Sequence, residues 1–422
     1  MTVYHILLDS LTKKAIPALS GNIIVVAPGT ELVSRFEDIL ECQLVRKADS
    51  SARLAALADE FKSLHDDPSY HQVVDSAVDR IHSLLCQAMS LSFRDSSLTS
   101  YLKAMLVSLS GQAVGAMTGA AGVVDGREII VCESNKGIPV VDWELTGEKI
   151  SGLSGKGLTV VSGSYGRKVT GETVDLGARG SELTASIIGA VLGADAVRFI
   201  VGGMPSAEAG RITYDEAAQL FSGGVPVYPP SLIPARKAGV PVEICDLSQD
   251  CAVVLEIGRP LSDTPSGKIT GVVVSGPMTL FTVYGTGLLG SVGISSAIFG
   301  ALAHRGVNIH FISQSLSEYS ISFAVLRDAS RKASEALAEL VGETAQANFN
   351  DLSFDMRDVR IVSVFGQGMR HVPGISAKVY SVLGSAGINV VASSQGGEEL
   401  SISVVVSDPD AEPARTALLT LK

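Results

Sequence analysis

The chain is predicted to be an α/β protein: a three-layer domain built on a mainly parallel sheet, followed by two small ferredoxin-like modules of βαββαβ order. Three observations predict this. Short, wholly apolar strands alternate with amphipathic helices through the first 255 residues, the pattern of a parallel sheet buried on both faces. A stretch beginning at Val283 recurs 81 residues later at Val364. Hydrophobic residues make up 46% of the 422 and charged residues only 18%, enough apolar surface for two or three cores.

In the N-terminal region, "NIIVVAPG", "EIIVC", "LTVVSG", "AVRFIVGG" and "VPVEIC" read as the buried strands. "SARLAALADEFKSLH", "DSAVDRIHSLLCQAM" and "YDEAAQLFSGG" carry helical spacing. "DWELTGEK" reads as a solvated helix start, and its Trp143 as a core or interface packing residue. The Pro-, Ser- and Gly-rich "EIGRPLSDTPSGKI" reads as a connection. The expected boundaries are 1–255 for the first domain, 256–278 for a linker, and 279–355 and 356–422 for the modules.

The duplication aligns without gaps. Gly293-Ile294-Ser295 meets Gly374-Ile375-Ser376, Asn308 meets Asn389, Ser313-Gln314 meets Ser394-Gln395, and Ser320-Ile321-Ser322 meets Ser401-Ile402-Ser403. Within each copy a strand leads through a glycine loop into a helix, then a hairpin, then a second helix.

Composition excludes several classes of function. A net charge of −11 argues against nucleic acid or an anionic membrane as partner. Five scattered cysteines without CxxC spacing read as reduced, mostly buried thiols of a cytoplasmic protein. No signal-peptide pattern opens the chain, because Asp9, Lys13 and Lys14 interrupt the first apolar run. The charge-free stretch 269–303 is broken by Pro277 and several glycines, so strand, loop and helix are expected there rather than a membrane span. The histidines show no metal-ligand spacing, and no metal site is expected.

One stretch invites an anion. In "DLGARGSELTA" (Asp175 to Ala185) a strand, a glycine turn and a helix start succeed one another. Backbone N–H groups and the positive end of the helix dipole converge at such a start. The alternative is that Ser181 caps the helix and the glycines serve close packing.

Taken together, the tandem repeat, "LGARGSELTA", "RITYDEAAQL" and "YPPSLIPARKAGVPVEI" resemble an aspartokinase over nearly the whole chain: an amino-acid-kinase-like domain followed by two ACT modules. The resemblance implies phosphorylation of the aspartate side-chain carboxylate by MgATP, with amino-acid effectors bound by the ACT modules. It also implies a homodimer joined through residues 279–422, or a hetero-oligomer with an active aspartokinase.

Several expected kinase motifs are replaced. The family's Lys-Phe-Gly-Gly-Thr-Ser loop corresponds to "HILLDS", with His5 at the lysine and Leu7-Leu8 at the glycines. The substrate-gripping Gly-Glu pair corresponds to Ser110-Gly111, and the lysine before the family's His-Pro motif to Val225. "IVGGMPSAEAGR" lacks the Asp-rich nucleotide loop, and the family arginine corresponds to Ala178. Phosphoryl transfer relies on cations, glycine amides and a metal around the phosphates. The sequence therefore predicts a divergent homologue with a degraded ATP site, no confident catalytic residue and no cofactor, with MgATP implied only if it is still a kinase.

A substrate-like anion site is expected at Gly177, Arg179, Gly180, Ser181 and Glu182. Lys13, Lys14 and Arg179 are the cations that could substitute for those lost. By the same resemblance, effector contacts fall at Ser291, Gly293, Ile294, Ser317 and Glu318. Ile309, His310, Gln314, Asn389 and Gln395 complete that set. Where the family commonly has Val-Asp, this chain has Ile309-His310, so a lysine effector is not expected. The alternative is an enzyme of a derived amino-acid pathway, working on an aspartate-like carboxylate in the same cleft.

Overall fold

The computed structural model describes residues 1–8, 23–90, 96–135, 138–153, 157–202, 210–221, 228–249, 251–260, 267–285, 293–316, 319–346 and 352–422. The chain divides into two compact units, Met1–Tyr214 with Pro226–Arg259, and Asp215–Val225 with Pro260–Lys422.

The first unit opens with β1 (Thr2–Leu7), β2 (Ile23–Ala27), α1 (Thr30–Leu40), α2 (Ser51–Lys62), α3 (Pro68–Ser90) and α4 (Ser96–Thr118). It continues through β3 (Gly122–Asp125), α5 (Gly126–Ile129), β4 (Cys132–Asn135), β5 (Ile138–Val141), α6 (Trp143–Ser151) and β6 (Thr159–Ser162). Then follow β7 (Tyr165–Arg167), β8 (Thr173–Asp175), α7 (Gly180–Leu192), β9 (Ala196–Val201) and β10 (Gly210–Thr213). Next come α8 (Tyr214–Phe221), which from Asp215 on falls in the second unit, and α9 (Pro229–Ala238), β11 (Val242–Asp246) and β12 (Ala252–Gly258) of the first. Eight strands form one sheet in the order β10-β12-β11-β9-β1-β2-β6-β3. Every pairing in it is parallel except β11 with β12.

The periodic helices bury the faces their spacing predicts. In α2 the buried side chains are Leu54, Leu57, Ala58 and Phe61, one stripe of a 3.6-residue repeat. They join Phe36, Ile81, Leu85 and Leu102 in a core on the sheet residues Ile6, Ile24 and Val26. Each such side chain contributes about 2 kcal/mol on leaving water.

Two local expectations are corrected. "EIIVC" does not enter the parallel sheet. Asp125 accepts hydrogen bonds from the Arg127 amide and guanidinium, both at 2.9 Å, which starts the one-turn α5. The chain then turns away into the β4–β5 ribbon, and the sheet edge is β3. Trp143 is 44% exposed, so it is not a core residue. It follows Asp142, which caps α6 by accepting from the Leu145 amide at 3.0 Å.

The second unit comprises β13 (Gly271–Val274), β14 (Met278–Tyr284), α10 (Ile294–His304), β15 (Phe311–Gln314), β16 (Ser320–Leu326) and α11 (Ser330–Gln346). After these come β17 (Ser353–Phe365), α12 (Ile375–Ser385), β18 (Ala392–Gln395), β19 (Ser401–Ser407) and α13 (Ala411–Leu419). Its strands run β15-β16-β14-β17-β19-β18, with β13 also on β17. The long β17 pairs β14 along its first half and β19 along its second. The duplication survives in detail: Thr282 and Ser322 hydroxyls meet at 3.0 Å, and their counterparts Ser363 and Ser403 at 2.7 Å.

The stretch 256–278, read from sequence as a linker, supplies β13, which pairs Gly271–Val274 against Val362–Phe365. Ile269 of the same stretch lies in the core formed by α12, α13 and their strands. Glu216 of α8 is buried in this unit, accepting from Thr270 Oγ1 at 2.6 Å and the Gln367 amide at 2.7 Å. Among the described residues no helix is long and apolar enough to cross a membrane.

Candidate functional site

The C-terminal ends of β1, β2 and β9 and the start of α7 enclose a cavity of about 760 Å³ in the first unit. Such a place, at the carboxyl ends of parallel strands, is where open α/β sheets bind ligands. All five residues expected at the anion site line it: Gly177, Arg179, Gly180, Ser181 and Glu182. Close packing of backbone sets this corner. A Cβ on Gly180 would stand 2.9 Å from the Ser164 carbonyl, and one on Gly163 2.8 Å from Ser181 Cα. Any side chain at either position would therefore push α7 off the sheet.

Ser181 does not cap the helix. It sits inside the first turn of α7, and its hydroxyl is 2.9 Å from His5 Nε2. Arg179 precedes the helix in a left-handed conformation (φ 54°) and pairs with Glu182 Oε1 at 2.6 Å. The other Glu182 oxygen accepts from the Ser231 hydroxyl at 3.3 Å. Glu182 is 5% exposed, and burial raises its carboxyl above the usual range against the opposing pull of Arg179.

His5 is 4% exposed and edge-on to Phe199 at 5.6 Å. Burial, followed by the nearby Arg179 charge, pushes its imidazole down to about 3. At neutral pH it is uncharged. An imidazole so hard to protonate is also a poor base for the Ser181 hydroxyl, so the Ser181–His5 contact is a structural hydrogen bond rather than an activated nucleophile.

Leu7 faces the cavity, and Leu8 is buried in the helical core beside it. Ser110 is fully buried, its hydroxyl donating to the Leu106 carbonyl at 3.0 Å. A Cβ on Gly111 would meet Ser162 Oγ at 2.2 Å, and that buried hydroxyl has no hydrogen-bond partner. Val225, Lys13, Lys14 and residues 203–209 lie outside the described residues.

Sequence reading missed one cation. Lys103 of α4 lines the cavity and is ion-paired to Glu37 of α1. Nothing local in sequence connects the two, and only the packing of α1 and α4 joins them.

In the second unit, a pocket of about 390 Å³ sits at the start of α12, lined in part by His371, Gly374, Ser376, Gln395 and Glu399. The His371 amide donates to Glu399 Oε2 at 2.7 Å, and the Ser376 hydroxyl to Gln395 Oε1 at 3.3 Å. His371 and Glu399 are both left-handed (φ 58° and 56°), and the sequence had flagged only Gln395. The other described effector candidates are placed separately. Gly293 (φ 97°) and Ile294 begin α10, Ile309 is half-buried, and His310, Gln314 and Asn389 are exposed. Partial burial lowers the His310 imidazole, which favours its neutral form. Ser291, Ser317 and Glu318 fall outside the described residues.

An α/β domain with a cavity at the strand ends, joined to a duplicated βαββα module, defines an ACT-domain protein of the amino-acid-kinase fold. The ACT domain family matches residues 281–340 and 362–420. Bifunctional aspartokinase/homoserine dehydrogenase 2 of Arabidopsis thaliana is 32% identical over 57% of this chain, covering 28% of its own length. The chain thus matches less than a third of that relative. Aspartokinase 3 of the same plant is 29% identical over 62% of the chain and 48% of its own. The solved E. coli aspartokinase III in complex with lysine and aspartate aligns over all of this chain and 99% of its own, at 18% identity and a TM-score of 0.80. The chain is similar to aspartokinases, shares their fold, and carries two matches to the ACT domain family.

Proposed function

We propose that the chain is a non-catalytic aspartokinase relative: its first unit no longer transfers phosphate, and its ACT modules bind a small amino acid. One observation carries the loss of catalysis. The position that corresponds to the family's phosphate-binding lysine holds a buried, uncharged His5, hydrogen-bonded to Ser181 rather than presented to the cavity as a cation.

The cavity residues do not fit MgATP. Leu7 replaces backbone that a phosphate would approach, and Gly111 leaves no room for the family's substrate-gripping carboxylate without displacing Ser162. Arg179 and Lys103 each face a carboxylate already, so neither is a spare charge for a triphosphate. A small zwitterion suits two opposed ion pairs better than a polyanion.

The effector reading rests on the pocket at α12. Its helix start offers N–H groups to a carboxylate, and Glu399 with Gln395 offers acceptors to an ammonium. E. coli aspartokinase III has been solved with lysine and aspartate, which supports amino acids as the ligand class. The partner is a second copy of the chain through residues 279–422, or an active aspartokinase. Lys103 favours one rival, an enzyme that uses the same cavity on an aspartate-like carboxylate.

Thermal-shift titration separates these readings. MgATP should leave the melting temperature unchanged, and at least one proteinogenic amino acid should raise it. A shift with MgATP and aspartate together would favour the enzyme.

A further inference from the structure

Away from both sites, α2 and α3 bring a cysteine, a histidine, a serine and an aspartate into one chain of contacts. His82 and Cys86 lie one turn apart on α3 and share a face. His82 Nε2 is 3.6 Å from Cys86 Sγ and 3.1 Å from Ser51 Oγ at the start of α2. Ser51 Oγ in turn is 2.5 Å from Asp49 Oδ1, which also accepts the Ser51 amide at 2.9 Å.

The direction of these bonds follows from which groups can donate. An ionised carboxylate only accepts, so the Ser51 hydroxyl proton points to Asp49. The bonds from the Ser51 hydroxyl and amide hold the Asp49 carboxyl below its usual range, with a smaller contribution from His82. Ser51 therefore presents a lone pair to His82, and Nε2 must carry the proton. The same N–H faces the Cys86 sulphur, which is thereby placed as an acceptor. Cys86 is also the exposed cysteine: Cys42, Cys132 and Cys245 are buried and Cys251 is half-buried. Burial pushes the Cys132 and Cys245 thiols up to about 11.

We propose that Cys86 is a thiol–disulfide exchange site for small-molecule disulfides, with His82 as the positioning residue that Ser51 and Asp49 orient. The Cys86 sulphur attacks one sulphur of the disulfide, a Cys86–S–S bond forms, and the original S–S bond breaks. The leaving thiolate takes up a proton equivalent to the one Cys86 lost. The disulfide is the oxidant, and its second half is released as thiol.

The test uses the reduced full-length protein and oxidised glutathione, followed by intact mass and peptide mapping. One adduct should form first, on Cys86, and Cys86→Ser should abolish it. His82→Ala should slow the reaction by about fivefold or more, and His82→Gln, which keeps an N–H donor, should recover part of the rate. Ser51→Ala should slow it less than His82→Ala does. Circular dichroism establishes that each variant is folded. First modification at another cysteine, or a folded His82 variant reacting within about twofold of the parent, would overturn the proposal.

Discussion

The cavity at α7 and the pocket at α12 are built alike, yet their first turns are used differently. Each helix follows a residue with positive φ, Arg179 at 54° and Gly374 at 87°, and each opens toward a concave surface. At α7 the protein's own side chains occupy the first turn, through His5 on Ser181 and Arg179 on Glu182. At α12 the nearby carboxylate, Glu399, meets the His371 amide and, at 3.4 Å, its ring, and it remains 42% exposed. A helix start is thus an anion site only where neighbouring side chains leave it open. The same backbone serves packing in one place and borders an open pocket in the other.

Substituting the family residue back into the first region should have the largest effect. His5→Lys would bury an ammonium beside Arg179 with no carboxylate of its own. It should destabilise the first unit by about 3 kcal/mol or more, measured by urea unfolding. A lysine tolerated without loss would mean that the cavity still accepts the cation phosphoryl transfer requires.

A smaller effect follows from the titration of His5. The imidazole is depressed in the folded protein to about 3 from an unfolded value of 6.5. Between those values the unfolded state binds the extra proton, so its contribution is complete above pH 6.5 and is lost as pH falls toward 3. The loss approaches about 1.4 kcal/mol per pH unit within the window. Unfolding measured from pH 7 to 5 should show this slope, and His5→Gln should flatten it. Equal slopes in both proteins would show that His5 is not buried uncharged.

In the second region, Glu399→Gln should weaken binding of the responsive amino acid by about tenfold, the loss expected on removing one charge-assisted contact. Calorimetry with the parent and the variant reads this. Unchanged affinity would move the effector site elsewhere, with Ser291 and Glu318 the next residues to substitute. Smallest of all, Arg331→Ala removes an exposed pair with Glu335 at 2.8 Å and should shift stability by less than about 0.5 kcal/mol.

How much the sequence disclosed depended on whether the information was local. The repeat, the apolar strands and the α2 stripe were legible because their periodicity is written in consecutive residues. The stretch "EIIVC" misled because Asp125 caps a turn that apolarity alone does not reveal. The residues expected at an anion site line one cavity, and they were legible as a group because they adjoin one another, from Gly177 to Glu182. Lys103 and Glu37 were missed because only folding brings α1 and α4 together. The pocket at α12 stayed hidden for a related reason: its carboxylate arrives on the hairpin between β18 and β19, 28 residues from His371. The role of β13 was also illegible, since a four-residue strand in a Gly-rich stretch looks like a connection until its partner is in place.

The central claim is that the cavity of the first unit no longer performs phosphoryl transfer, and acyl-phosphate trapping with MgATP and aspartate tests it most directly. Loss of one preorganised transition-state contact typically costs about a hundredfold or more. With the lysine and glycine positions both altered, the account predicts no hydroxamate above the enzyme-free background. Turnover near ~1 per second, within the ordinary range for enzymes, and abolished by Arg179→Ala or Lys103→Ala, would contradict it.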